Sequence, residues 1–406
     1  MNNLDSPKVV SWQKLSAHPF LTMGFRPFYL VGILFAILSL LIWMLTYTGF
    51  MSWNGYLNNL TWHSHEMIFG FAVAVITGFL LTAVRSWTGL PTPTKTALAV
   101  LVMLWLLGRI TAIAGPSTIA PWVDFAFLPV LGFLIALPIF RSHNTRNLKV
   151  LFIIAVLACL NAVFHLAYLN KLPSIFSHVA IIAALDVITL LMAVIGGRII
   201  PAFTTNAMPL AKATEKPVQV TWIEVVAIGT LLLVLSGTLL EGWYQIPNIV
   251  WFLLLTLAAL IHFVRLILWK PVSTLRNPLL LMLPVAYCWI PISLGLRAYA
   301  QVFTLSPSIS IHALTLGAIS SLMLAMMARS ALGHTGHALK AGPIEITAFM
   351  LIQLAAVVRV VIGFIDAQFY QWGVIISGIL WIAGFFTFLI RYYPILIRPR
   401  VDGKAV

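Results

Sequence analysis

Apolar residues fill this chain in runs of about twenty, broken by short polar stretches, from residue 28 to residue 391. A helix rises 1.5 Å per residue, so each run is long enough to cross the roughly 30 Å hydrocarbon layer of a bilayer. The pattern predicts twelve spans, at 28–47, 64–84, 96–114, 122–140, 149–168, 178–198, 222–241, 248–268, 279–298, 310–328, 343–363 and 371–391. The breaks carry turn chemistry, as in Gly89-Leu90-Pro91-Thr92-Pro93, Gly115-Pro116 and Asn277-Pro278. The longest break, about 199–221, holds Pro201, Pro209 and Pro217. No break is long enough for a separate soluble unit, so 1–406 reads as a single transmembrane helical domain. The first run has no cleavage site of small residues and more spans follow it, so it reads as an ordinary helix and not a cleaved signal.

Composition agrees with that pattern. The 406 residues are 61% hydrophobic and only 8% charged, where a soluble domain carries about 25% charged residues. The fold class is therefore an all-α polytopic membrane protein. Its net charge of +14 would by itself suggest nucleic acid, but the distribution argues otherwise. Lys8, Lys14 and Arg26 precede or open the first span, and Arg391, Arg398, Arg400 and Lys404 close the chain. Between them the breaks on that same side hold Arg85, Lys95, Arg141, Arg146, Lys149, Arg198, Lys212, Lys216, Lys270, Arg276, Arg329 and Lys340. The opposite breaks hold Lys171. This positive-inside bias predicts cytoplasmic termini and an even number of spans. The basic character then concerns topology and lipid headgroups, with no nucleic-acid partner. Cys159 and Cys288 fall inside spans without a CxxC or CxxCH pattern, so disulfides, a cysteine zinc site and covalent haem attachment lack support.

Against this apolar background the histidines stand out. His63 and His65 open the second span, His178 the sixth and His312 the tenth, and His165 lies near the outer end of the fifth. Imidazole is costly in hydrocarbon, and neutral imidazole is the commonest metal ligand. Five histidines at one depth predict metal or haem ligation by at least two of them. His63 and His65 are two apart and point to nearly opposite faces of a regular helix, so both serve one site only if the helix begins irregularly. Glu66 is three residues after His63 and is placed to share its face.

Arg109, Arg297 and Arg359 lie in the same outer layer. Two readings stay open for them: paired hydrogen bonds to carboxylates such as haem propionates, or snorkelling to headgroups. Asp186 lies eight residues into the sixth span, about 12 Å below His178. It is a candidate proton relay, a support for a histidine's second nitrogen, or an interhelical hydrogen-bond partner. Asp124 and Glu241, near outer span ends, are expected to be solvated. His334 and His337 lie on the cytoplasmic side; a shared metal there competes with a turn at Thr335-Gly336 that caps the helix, and the cap is favoured. Met323, Met326 and Met327 follow helical spacing and read as packing, not as a copper(I) site. His262, near Arg265, has no assignment.

The spacing of the histidines carries a further signal. The second, sixth and tenth spans each open on histidine and end near arginine, at Arg85, Arg198 and Arg329. Twelve helices in three arcs of four resemble the catalytic subunit of haem–copper oxidases. That likeness implies His63 or His65 paired with His312 across a haem, and His178 near copper. The seventh span has no histidine, so the usual oxygen-reducing centre is not assembled in recognisable form.

Local sequence carries a closer likeness. His18-Pro19-Phe20 with Met23-Gly24-Phe25-Arg26-Pro27-Phe28, Trp62-His63-Ser64-His65-Glu66-Met67 with Phe69-Gly70-Phe71, Gly197-Arg198-Ile199-Ile200-Pro201-Ala202-Phe203-Thr204, and Arg329-Ser330-Ala331-Leu332-Gly333-His334-Thr335-Gly336 resemble the signatures of the NnrS family. His337 stands where that family usually has a basic residue. The resemblance implies a bacterial inner-membrane protein that binds b-type haem and copper and is linked to denitrification and nitric-oxide resistance. Nitric oxide would be the partner gas, and a metal-dependent oxidoreductase with an electron donor is one form of that role. No catalytic residue is assigned. Two other classes compete: a twelve-helix secondary transporter, and a membrane haem sensor or delivery protein. A transporter places its ionisable residues near mid-membrane, where only Asp186 is well positioned.

Overall fold

A computed structural model of the chain describes residues 18–143, 145–207, 216–365 and 367–403. Lys8, Lys14, Pro209, Lys212 and Lys404 lie outside the described residues. The twelve spans are present as α1 (Phe25–Tyr47), α2 (Asn59–Thr88), α3 (Lys95–Ala114), α4 (Ala120–Arg141), α5 (Thr145–Tyr168), α6 (Ile175–Ala207), α7 (Thr221–Leu240), α8 (Asn248–Leu268), α9 (Pro278–Tyr299), α10 (Pro307–His334), α11 (Pro343–Phe364) and α12 (Tyr370–Ile397). All are long and apolar enough to cross a membrane. Large apolar side chains such as Phe133, Leu253 and Ile379 face outward, as a lipid solvent requires.

Helix ends follow local chemistry. Asn58 caps α2 by accepting from Thr61 N at 2.9 Å, and left-handed Gly89 ends it. Pro278 and Pro307 occupy the first turns of α9 and α10, where a missing N–H costs nothing. Asn58 moves the start of α2 ahead of the expected 64, so His63 and His65 sit within its second turn. The break expected at 199–221 is shorter, because α6 continues to Ala207 with Pro201 inside it. Proline deprives the carbonyl four residues earlier of its N–H partner. Here that carbonyl belongs to Gly197, and Gln219 Nε2 donates to it at 2.6 Å, so the helix passes through the proline without an orphaned acceptor.

Sequential helices pack side by side, and α12 returns to lie against α1. The Arg26 guanidinium donates to the carbonyls of Leu396 and Arg398 at 2.9 and 2.6 Å, so the described ends of the chain share one end of the bundle. Burial differs sharply among the helices. The apolar window of α2 is 83% buried and those of α6 and α10 are 72% each, whereas α3, α4 and α8 reach 39%. The three histidine-opened helices are thus interior helices, and they touch one another at the centre.

Two of the three are irregular at that point. α2 is α-helical over Asn59–His65, π-helical over Glu66–Ala72 and α-helical again from Val73. α10 repeats this, with Pro307–His312, then π-helical Ala313–Ser320, then Ser321–His334. Ser320 Oγ reaches the Thr315 carbonyl at 2.8 Å, five residues back, as the wider turn demands. Each π segment holds a glycine five residues after a histidine, Gly70 after His65 and Gly317 after His312. Gly317 lies against the Trp289 ring, so an added Cβ would collide with it. Gly317→Ala is expected to cost about 1–3 kcal/mol by overpacking, read as a lower thermal midpoint in detergent. An unchanged midpoint would show that the Trp289 ring has room to move.

Candidate functional site

Inside the inner helices is a cavity of about 470 Å³, within the roughly 300–1,000 Å³ that small-molecule and cofactor sites occupy. His63 of α2, His178 of α6 and His312 of α10 all line it, as does Arg359 of α11. Apolar side chains from α2, α6 and α10, and from α1 and α12, make most of its wall, among them Leu40, Met67, Ile181, Leu316 and Trp381.

The hydrogen bonding of these histidines decides what they offer. His312 Nδ1 donates to the Ser308 carbonyl at 2.7 Å, one helical turn back. That bond fixes the tautomer and leaves Nε2 with a free lone pair, the arrangement usual for a metal-ligating histidine. Ser308 Oγ accepts from Arg359 Nη2 at 2.7 Å, and the same nitrogen reaches the Tyr370 hydroxyl at 2.9 Å. Arg359 Nη1 is buried without a partner. His63 Nδ1 is likewise buried and unpartnered, and its ring stacks on Trp43 with centroids 4.4 Å apart. His178 is more exposed and also lines a second cavity of about 320 Å³.

These features fit a haem. Two imidazoles on facing interior helices have ring nitrogens free for iron, and an apolar wall suits a macrocycle. Arg359 has one donor free for a propionate. Orphaned buried donors are costly, and a ligand that takes them relieves that cost.

His65 goes elsewhere. Its ring is fully buried and turned toward α4 and α5. His65 Nδ1 lies 3.0 Å from Glu66 Oε1, and Nε2 lies 3.0 Å from Asn161 Oδ1 and 3.3 Å from Asp124 Oδ2. His165 Nε2 is 2.9 Å from Asp124 Oδ2, and Asn161 donates to the same oxygen at 2.8 Å. Arg109 joins both carboxylates, donating to Glu66 Oε2 at 2.7 Å and pairing with Asp124. Asp124, expected to be solvated, is therefore buried at 3% exposure, because Arg109, Asn161 and two histidines replace its water. Glu66 sides with His65 and not with His63. Two carboxylates face one guanidinium here, so the cluster as a whole favours a further cation. Ligand atoms of His65, Asp124 and His165 lie within 4.8 Å of one another, close enough for a single ion. Above the group, burial and the neighbouring Tyr168 raise the Tyr56 phenol's pKa, so Tyr56 faces His165 as a neutral hydroxyl.

Arg297 and Asp186 meet in the second cavity. Arg297 Nη1 donates to Asp186 Oδ1 at 2.9 Å, and Thr238 donates to Asp186 Oδ2 at 2.6 Å. The three arginines thus divide: Arg109 in the buried cluster, Arg297 on Asp186, and Arg359 in the histidine cavity. Glu241 stays exposed and accepts from Trp251 Nε1 at 2.5 Å. His262 is held between the Tyr287 hydroxyl and the Ala227 carbonyl, at 2.7 and 3.1 Å.

At the other end, His334 and His337 close α10. His337 N bonds the Leu332 carbonyl at 3.0 Å around left-handed Gly336, a Schellman-type cap, and His337 Nδ1 lies 2.8 Å from Thr335 Oγ1. Met323 and Met327 are buried packing residues.

Sequence reasoning missed Asn161, Ser308 and Tyr370, whose types are too common to signal a site. It also missed the two π segments, which hydropathy does not register.

None of the curated proteins compared matches this chain. A protein-family model does: the one described as NnrS protein matches residues 19–400, nearly the whole length. The protein therefore belongs to the NnrS family.

Proposed function

We propose that this protein binds haem in the cavity between α2, α6 and α10, holds copper nearby, and acts in nitric-oxide metabolism or resistance in a bacterial inner membrane. Both termini lie in the cytoplasm on this reading, because the basic residues cluster at their end. The observation that carries it is His312, whose Nδ1 is committed to the Ser308 carbonyl while Nε2 is left for a ligand, in a cavity shared with His63 and His178.

On this reading His63 and His312 are the iron ligands. Arg359, steered by Ser308 and Tyr370, offers its free Nη1 to a propionate. The apolar walls exclude water and admit an uncharged gas from the lipid. Bound there, haem iron would supply a redox-active centre with affinity for nitric oxide. The candidate copper ligands are His65, Asp124 and His165, with Glu66 and Arg109 beside them, and His178 stands between the two cavities. Asp186, paired with Arg297, is the candidate proton carrier on the side of His178.

Protein made with haem and copper available, then purified in detergent, is expected to show a Soret band and bound copper, and the band is expected to shift on adding nitric oxide. Visible spectra and metal analysis check this. A preparation with neither Soret band nor metal would overturn the reading. A Soret band indifferent to nitric oxide would leave a haem protein without the proposed partner gas.

A further inference from the structure

At the end of the bundle where the described ends of the chain meet there is a third cavity, of about 650 Å³, between α2, α5, α6 and α10. Arg146 and Lys149 of α5, Arg198 of α6, and Arg329 and His334 of α10 all line it, and among the described residues no carboxylate does. Arg146, Lys149 and Arg198 lie within one another's electrostatic field. Arg329 is half-buried, its guanidinium 3.9 Å above the centre of the Phe203 ring. None of the four arginine and lysine side chains pairs with an acid among the described residues, whereas Arg109, Arg265 and Arg297 within the bundle each do.

The cavity is graded in depth. Ile153 lies seven residues along α5 from Arg146, and Leu191 seven residues along α6 from Arg198. At 1.5 Å per residue each is about 10 Å nearer the middle of the bundle. Phe79 and Met326 add apolar surface to the same cavity. The cations therefore surround the mouth and the floor is apolar. Four like charges around one apolar-walled space repel one another, and an anion among them converts that repulsion into attraction. Arginine in particular matches phosphate oxygens with paired N–H donors. An apolar floor beneath a cationic rim suits a phosphate attached to a hydrocarbon tail.

We infer that this cavity is a binding site for an anionic phospholipid of the adjoining leaflet, with its phosphate among Arg146, Lys149, Arg198 and Arg329 and part of an acyl chain over Ile153 and Leu191. Basic pockets between transmembrane helices recognise headgroups in this way. Cations that merely snorkel to the headgroup layer would show no saturable preference. The site is separate from the histidine cavity and does not depend on haem or copper.

The test uses the full chain, purified in nonionic detergent and stripped of lipid. Phosphatidylglycerol, phosphatidylcholine and inorganic phosphate are titrated separately, and the thermal midpoint is read. Phosphatidylglycerol is expected to raise the midpoint saturably, phosphatidylcholine to do so weakly, and inorganic phosphate to have little effect. The Arg198→Gln/Arg329→Gln double variant is expected to lose most of that rise. Arg146→Gln changes an exposed side chain and leaves the core intact; in that variant the phosphatidylglycerol concentration for half the rise should increase several-fold. Equal responses to both lipids, or an undiminished response in both variants, would overturn the site. A full rise with inorganic phosphate alone would overturn the acyl-chain assignment.

Discussion

Replacing His312 or His63 by alanine is expected to remove most of the Soret absorbance per protein, while His65→Ala leaves the band in place. Removing groups that merely support a metal ligand typically lowers metal affinity about 10–100-fold, and loss of the ligand itself should exceed that. His312 is the sharper of the two cases. Its Nδ1 already serves the Ser308 carbonyl, so the ring cannot turn to supply that nitrogen without losing a hydrogen bond. Arg359→Gln should have a smaller effect, since it removes a charge near the ring and not an iron ligand. The spectra of the purified variants decide the matter. If both His63→Ala and His312→Ala keep the parental band, the ligands lie outside the cavity. If His65→Ala alone abolishes it, the buried cluster and the cavity have exchanged roles.

The largest expected effect on stability is at Arg109. Arg109→Ala leaves Glu66 and Asp124 buried beside one another without their guanidinium. Breaking a buried ion pair from one side costs about 3–5 kcal/mol, because the remaining charge has neither water nor partner. A lower thermal midpoint and less folded protein in the membrane fraction are the expected readouts. Adding Glu66→Gln to Arg109→Ala should recover part of the loss by removing one unbalanced charge. A midpoint equal to the parent would show that another cation neutralises the pair, and metal analysis of the same sample would then identify it.

Much of the fold was legible because a bilayer imposes a simple rule. Every backbone polar group must be satisfied within the helix, so a span is a continuous apolar run of fixed minimum length. Twelve runs gave twelve helices on that ground alone. The importance of the second, sixth and tenth spans was also readable, since His63, His178 and His312 recur at matching ends of spans four apart, and those spans are interior helices. Boundaries were less legible. Hydropathy does not register the Asn58 cap, which starts α2 early, or the Gln219 side chain, which lets α6 pass through Pro201.

The site divides along a similar line. His63, His65, His165, His178 and His312 were all visible as polar residues at one depth. Depth is a coordinate along the membrane normal, and sequence supplies it through helix rise and charge bias. The direction in which each ring points is an angle about a helix axis, and it depends on neighbours distant in the chain. His65 turns outward from the central cavity because Asp124, Asn161 and Arg109, from three other helices, hold hydrogen bonds around it. His63 turns inward to Trp43. Asp124 shows the same limit: its position predicted solvent, and only its neighbours made burial tolerable. The sequence by itself determined the membrane class, the number of helices and the common depth of the candidate histidines, because those follow from hydrophobicity and 1.5 Å per residue. Tertiary structure alone decided which histidines share a cavity and which are bound up in a charge cluster, because that depends on packing angles between helices that hydropathy does not encode.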